Sequence, residues 1–201
     1  MKKIDKKRTI ITLLALIFFF YIMLLVFLKE TNFIDLIGIK QNDFFFKVFN
    51  IITKLGDWYT LIIITICFGI LDSKNTFKFM SLNLTGVFLL NQLLKFLFKR
   101  PRPEFNLTGA IGYSFPSGHS MVSMAFYGFI IYMIFKTKHS YIYKIITSSL
   151  ILVTILLIGF SRVYLGAHYM TDVLAGFSLG IIYLSIFTSI IEKGGKSNEK
   201  C

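Results

Sequence analysis

Apolar residues run along this chain in long unbroken stretches, separated by short polar and basic ones. Six stretches stand out: residues 10–28, 55–71, 77–95, 119–135, 142–160 and 170–191. Each approaches the ~20 residues that carry an α-helix across a ~30 Å hydrocarbon layer at 1.5 Å per residue. The stretch at 55–71 is short and draws on its neighbours. Between the first two lies FIDLIGIKQNDFFFKVFNIIT (33–53), amphipathic and too charged to span. It predicts an interfacial helix pair resting on the membrane. No repeat, low-complexity tract or linker interrupts the pattern, so residues 1–201 form a single predicted membrane domain. The expected fold class is all-α integral membrane, with six transmembrane helices and an interfacial amphipathic segment between the first two.

Composition agrees with the pattern. Of 201 residues 55% are hydrophobic, with a mean hydropathy of +0.71. That is more apolar surface than a soluble domain of this length needs for its core. The net charge of +12 could suggest a nucleic-acid partner. The basic residues, however, are spread between the apolar runs, where Lys and Arg flank membrane spans, so none is expected. The start, MKKIDKKR, is basic like a signal peptide. Its apolar run is too long and KETNFID lacks a small-residue cleavage site, which predicts a retained anchor. Cys67 lies inside an apolar run and Cys201 ends the chain, so neither a disulfide nor a prenylation box is expected.

Charge also predicts orientation. With the N-terminus inside, the inner segments hold Lys2, Lys3, Lys6, Lys7, Arg8, Lys74, Lys78, Lys136, Lys138, Lys144, Lys193, Lys196 and Lys200, thirteen of the 22 Lys and Arg. The positive-inside rule then puts both termini in the cytoplasm and the protein in the cell membrane. The connections after spans one, three and five share the extracytoplasmic face.

Two of those connections carry the chemistry: KFLFKRPRPEFN leading to SFPSGHSM, and GFSRVYLGAHYMTDVLAGF. They bring Lys95, Lys99, Arg100, Arg102, Ser117, His119, Arg162, His168 and Asp172 to one face. Several cations with two histidines and one carboxylate make a poor metal site, and neither a metal nor another cofactor is expected. They make a good phosphate site, since Arg pairs phosphoryl oxygens bidentately and Lys adds a point charge. Pro116-Ser117-Gly118-His119 would open the fourth span, aiming free backbone N–H groups at an anion. Gly118 allows close approach of that backbone, and Ser117 adds a hydroxyl. His168 and Asp172, four apart at the start of the sixth span, share a helix face. The carboxylate can hold one imidazole nitrogen and leave the other free as nucleophile, with His119 as the acid for the leaving oxygen. Lys99 and Arg100 are taken as boundary anchors, and His139, in a loop on the other side, has no assigned role.

At these residues the chain resembles the type 2 phosphatidic acid phosphatase superfamily, whose fold is shared with the vanadium haloperoxidases. Three motifs occur in order: Lys95 followed after six residues by Arg102-Pro103; Pro116-Ser117-Gly118-His119; and Ser161-Arg162, five residues, His168, three residues, Asp172. The similarity of layout covers about residues 35–190. The resemblance implies that Lys95, Arg102, Arg162, Ser117 and the Gly118 backbone hold the phosphoryl group. It implies that His168 forms a phosphohistidine, oriented by Asp172, with His119 as general acid and no metal. The compact length resembles small bacterial lipid phosphatases of the phosphatidylglycerophosphatase B and undecaprenyl-diphosphatase types.

The expected function is hydrolysis of a lipid phosphate monoester or pyrophosphate at the extracytoplasmic face. Undecaprenyl pyrophosphate, phosphatidylglycerophosphate, phosphatidic acid and lipid A phosphates all present such a group at the interface. The alternative class is an idle lipid-phosphate-binding transporter or scaffold, which would need the cations but not the paired histidines and Asp172.

Overall fold

The computed structural model describes residues 2–28 and 42–198. Among them the regular structure is entirely helical: α1 (Lys2–Phe27), α2 (Asp43–Thr53), a 3₁₀ turn (Lys54–Gly56), α3 (Trp58–Leu71), α4 (Lys74–Phe98), α5 (Gly118–Lys136), α6 (Tyr141–Tyr164) and α7 (Met170–Asn198). Five helices, α1 and α4 to α7, are each long and apolar enough to cross a membrane. A sixth crossing requires α2, the 3₁₀ turn and α3 together, bent by 51° at the break. The 14 residues of α3 rise only about 21 Å, too little for the hydrocarbon layer. The chain is a multi-pass membrane protein; five of the predicted apolar runs fall on α1 and α4 to α7, and the run 55–71 begins in the 3₁₀ turn and continues as α3.

Part of the expected interfacial pair, 33–41, lies outside the described residues. The rest is α2, which starts at Asn42, whose side chain accepts from the Phe44 N–H at 2.8 Å. Its Phe49 ring packs 4.7 Å from Tyr164 and 5.4 Å from Phe160, centroid to centroid. The Asn42 N–H donates to Tyr164 Oη at 3.0 Å. The segment is thus fastened to the end of α6 as well as being amphipathic.

Large apolar side chains cover the outside as well as filling the core, and polar ones are buried among them. Leu13, Leu14, Ile17 and Phe20 on α1 face outward, whereas Asn91, Ser117, Ser120, Thr171 and Asp172 are buried. Lipid solvates the apolar exterior, so small and polar residues are free to pack where helices meet. Cys67, inside the second apolar run, lies on the outer surface of α3.

α5 is the central helix, packed against α4, α6 and α7, while α1 packs on α7 and α3 on α4. The α5–α7 crossing is close because α7 presents Gly176 and Gly180 one turn apart. A Cβ at Gly176 would lie 2.8 Å from Ser117 O and 2.9 Å from Ser120 Cβ. At Gly180 it would lie 2.8 Å from Met121 O. Backbone cannot yield as a flexible side chain does, so Gly176→Val should push α7 off the start of α5. We expect a lower unfolding temperature in detergent, from about 1–3 kcal/mol of overpacking. An unchanged temperature would show that α7 can back away freely.

At the other end of the bundle Glu192 of α7 ties three helices. It accepts from Arg8 of α1 at 3.0 Å, and from Tyr132 and Lys136 of α5 at 3.0 and 3.2 Å. The loops bearing the three motifs lie at the opposite end, at the C-terminus of α4, the N-terminus of α5 and the α6–α7 junction.

Candidate active site

Helix ends deliver the site. α4 stops at Lys99, which takes a left-handed conformation (φ +49°) and turns the chain so that Arg100 and Arg102 follow at once. α5 begins at its N-cap Ser117, whose Oγ accepts from the Ser120 N–H and hydroxyl at 3.4 and 2.9 Å. The Ser117 N–H donates to Asp172 O at 3.0 Å, joining the starts of α5 and α7. The α6–α7 loop carries His168 and folds back through Ala167 and His168 N–H groups donating to Arg162 O at 3.0 and 3.2 Å.

Two of the cations, Lys95 and Arg102, are held by backbone carbonyls. Lys95 donates to Tyr113 O at 2.6 Å and to Ser114 O at 3.4 Å. Arg102 donates to the carbonyls of Gly112, Ala167 and Ile111 at 3.1, 2.7 and 3.2 Å. Arg162, only 5% exposed, donates through Nη1 to Thr53 Oγ1 at 2.7 Å, and its Nε has no protein partner. Such carbonyl tethers orient the positive heads without neutralising them, which preserves their pull on an anion.

His168 is the centre of the arrangement. Its Nε2 lies 3.4 Å from Arg102 Nη1, and its Nδ1 lies 3.5 Å from Asp172 Oδ2. The second distance is long for a hydrogen bond, and Nδ1 has no other partner. Burial pushes the His168 imidazole down to about 3, more than the neighbouring Asp172 raises it, so the ring is neutral at physiological pH. A neutral imidazole with Nδ1 facing a carboxylate offers its Nε2 lone pair toward the cations.

Lys95, Arg102, Gly118, His119, Arg162 and His168 all line one cavity of about 770 Å³. Ser117 and Asp172 are fully buried beside it. Below the polar head the cavity continues between α3 and α4 as an apolar groove, past Leu61, Ile62, Ile66, Leu84 and Phe88 to Phe77. From Lys95 to Phe77 that groove follows α4 for roughly 27 Å, nearly the depth of the hydrocarbon layer. Among the described residues, no three His, Cys, Asp or Glu side chains converge as a metal site would need.

Three contacts escaped the sequence reading. Arg100, taken as a boundary anchor, instead reaches the candidate site: its Nη1 lies 2.7 Å from Asp172 Oδ1 and from Thr171 Oγ1, and its guanidinium stacks 4.1 Å from the Tyr169 ring. The Tyr169 N–H donates to Asp172 Oδ2 at 3.0 Å, so both carboxylate oxygens are held. Asp57, at the bend between the 3₁₀ turn and α3, places Oδ1 2.9 Å from His119 Nε2. Thr53 holds Arg162. The signal for Asp57 was faint: a lone acidic residue directly before a span, on the motif-bearing face. His139 stacks on Tyr143 at 4.6 Å, away from the site.

The fold has solved counterparts. The chain matches the crystal structure of the transmembrane PAP2-type phosphatidylglycerolphosphate phosphatase from Bacillus subtilis with a TM-score of 0.78 and 31% identity, over 93% of this chain and 96% of that one. It shares its fold with LpxE of Aquifex aeolicus, at a TM-score of 0.63 and 24% identity, over 81% and 94% of the two chains. In sequence it is 41% identical over 118 residues to phosphatidylglycerophosphatase B of Bacillus subtilis, a match spanning 56% of each protein. It is 29% identical over 195 residues to the undecaprenyl-diphosphatase of Sulfolobus acidocaldarius, covering 83% of this chain and 89% of that one. Residues 77–196, from α4 into the last turns of α7, match the PAP2 superfamily. With the helical arrangement and the family match both in place, the chain belongs to the PAP2 superfamily.

Proposed function

We propose that this protein is an integral-membrane lipid phosphatase that hydrolyses a lipid phosphate monoester or pyrophosphate through a phosphohistidine. One observation carries the proposal: a buried, neutral imidazole stands 3.4 Å from a guanidinium at the head of a cavity whose other end is a long apolar groove. The polar head suits a phosphoryl group, and the groove suits the chain attached to it. Phosphatidylglycerophosphate, undecaprenyl pyrophosphate and phosphatidic acid all have this form, and the names of the Bacillus and Sulfolobus relatives point to the first two.

In this scheme Lys95, Arg102 and Arg162, with Ser117 and the Gly118 N–H at the start of α5, hold the phosphoryl oxygens and spread their charge. His168 Nε2 attacks phosphorus, and Asp172 keeps the proton on Nδ1 and stabilises the charge that develops on the ring. His119 gives a proton to the departing oxygen. Water then breaks the N–P bond and releases inorganic phosphate. No step calls on a metal. The positive-inside count supports an active site on the extracytoplasmic face, because the Arg8–Glu192–Lys136 cluster stands at the opposite end of the bundle.

The test is phosphate release by the purified protein in detergent, from each of the three lipids. Turnover should persist in excess chelator. Orthovanadate should inhibit, since it can take five-coordinate geometry against His168 among the same cations. Loss of turnover on chelation, restored by added magnesium, would contradict the phosphohistidine scheme.

A further inference from the structure

The phosphate-holding set does not account for Asp57. It occupies the N-cap position of α3, yet its side chain makes no bond to the first N–H groups of that helix, as a capping aspartate would. It turns instead to His119, with Oδ1 2.9 Å from Nε2, while Tyr59 Oη donates to Oδ2 at 2.7 Å. The turn before it is drawn tightly against the same ring. A Cβ on Gly56 would lie 2.9 Å from His119 Cδ2 and 2.7 Å from Ile158 Cγ2. Asp57 and His119 both line the cavity, with side chains 26% and 22% exposed, so the pair faces the space where a leaving group departs.

We propose that Asp57 positions His119 as the general acid and, through its charge, selects the leaving group: a lipid phosphate monoester in preference to a lipid pyrophosphate. The inference rests on the phosphatase reading above and narrows its substrate class. With either substrate, the bond from His168 Nε2 to phosphorus forms and the bond from phosphorus to the leaving oxygen breaks. In a monoester the electron pair stays on an alkoxide, whose conjugate acid is, like water, a very weak acid, so the bare anion is a poor leaving group. That oxygen must take a proton from the His119 imidazolium. Because Nε2 is engaged by Asp57, Nδ1 is the nitrogen left to supply it, and a carboxylate partner holds the ring in place. In a pyrophosphate the pair stays on a second phosphate, whose relevant pKa is about 6, and it leaves without a proton. This second phosphate is an anion brought beside the Asp57 carboxylate. Like charges so placed are disfavoured, and such repulsion is a means of rejecting a competing substrate.

The experiment uses the full chain in detergent, as wild type, Asp57→Asn and Asp57→Glu. The probes are a long-chain alkyl phosphate and the alkyl pyrophosphate of the same chain, so the tail is constant. Wild type should favour the monoester. Asp57→Asn should lower kcat on the monoester about 10- to 100-fold with little change in KM, part of what general acid catalysis contributes. The pyrophosphate should lose less than about threefold or gain, moving the kcat/KM ratio by about tenfold or more. Asp57→Glu, which keeps the charge, should stay on the wild-type side. Equal losses on both substrates would make Asp57 a structural residue and overturn the assignment. Should Asp57→Asn not fold, the wild type still decides: preference for the pyrophosphate by about tenfold or more overturns it. Phosphate release from neither probe would instead sink the phosphatase reading, and the assignment with it.

Discussion

Replacing His168 by alanine should stop phosphate release from every lipid phosphate and pyrophosphate, a loss of about 10⁶-fold in kcat, as expected when a nucleophile acting in concert with its partners is removed. At about 1.36 kcal/mol per factor of ten, that is about 8 kcal/mol of barrier. In the proposed scheme the effect is independent of the leaving group, because the N–P bond forms with all of them. The buried imidazole, neutral above about 3, also bears on pH. Protonation would consume its lone pair only far below neutrality, so His168 should place no acid limb on kcat/KM between pH 5 and 8. Any limb found there belongs to the substrate phosphate or to another group. The measurement is kcat for wild type and His168→Ala on a monoester and a pyrophosphate, with monodispersity in detergent confirmed for both. Turnover by the alanine variant within tenfold of wild type would falsify the covalent scheme.

His119→Ala should separate the substrates. An alkoxide needs its proton during departure, and general acid assistance is typically worth about 10² to 10⁴ in rate. Monoester hydrolysis should therefore fall by about that factor. Pyrophosphate hydrolysis should fall far less, because a phosphate with a pKa of about 6 leaves unaided. The structure adds a constraint: His119 stands at the start of α5 beside the Gly56 turn, and its removal leaves Asp57 without its imidazole. Comparing kcat/KM for the two substrates, with thermal unfolding as control, separates chemistry from folding. Equal losses in a well-folded variant would mean that His119 binds the phosphoryl group and delivers no proton.

Much of this protein was legible in the residue order. Apolar runs announce spans because hydrocarbon cannot solvate a backbone, so each crossing must be a helix about 20 residues long. That constraint is local and places α1 and α4 to α7 directly. Phosphate chemistry was legible for a similar reason. Gly118 at a helix start, or His168 four residues before Asp172, needs only a few residues of regular structure to acquire its geometry. The two crossings of α5 and α6 then bring the α4–α5 and α6–α7 connections to the same end, whatever the details of packing.

What the sequence could not decide were the contacts set by how helices cross. Asp57 meets His119 across 62 positions, Arg100 meets Asp172 across 72, and Thr53 meets Arg162 across 109. Each pairing depends on a 51° bend, on a left-handed turn at Lys99, or on α2 docking against α6. None of these leaves a periodic trace. An arginine at a span end looks like any boundary anchor, and an aspartate before a span looks like a helix cap. Local preference gave each of them its ordinary meaning. Only the close crossing of α5 with α7 on Gly176 and Gly180, and the bend that carries Asp57 back over α5, turned Arg100 toward Asp172 and Asp57 toward His119, because a side chain's partner is chosen by distance in space.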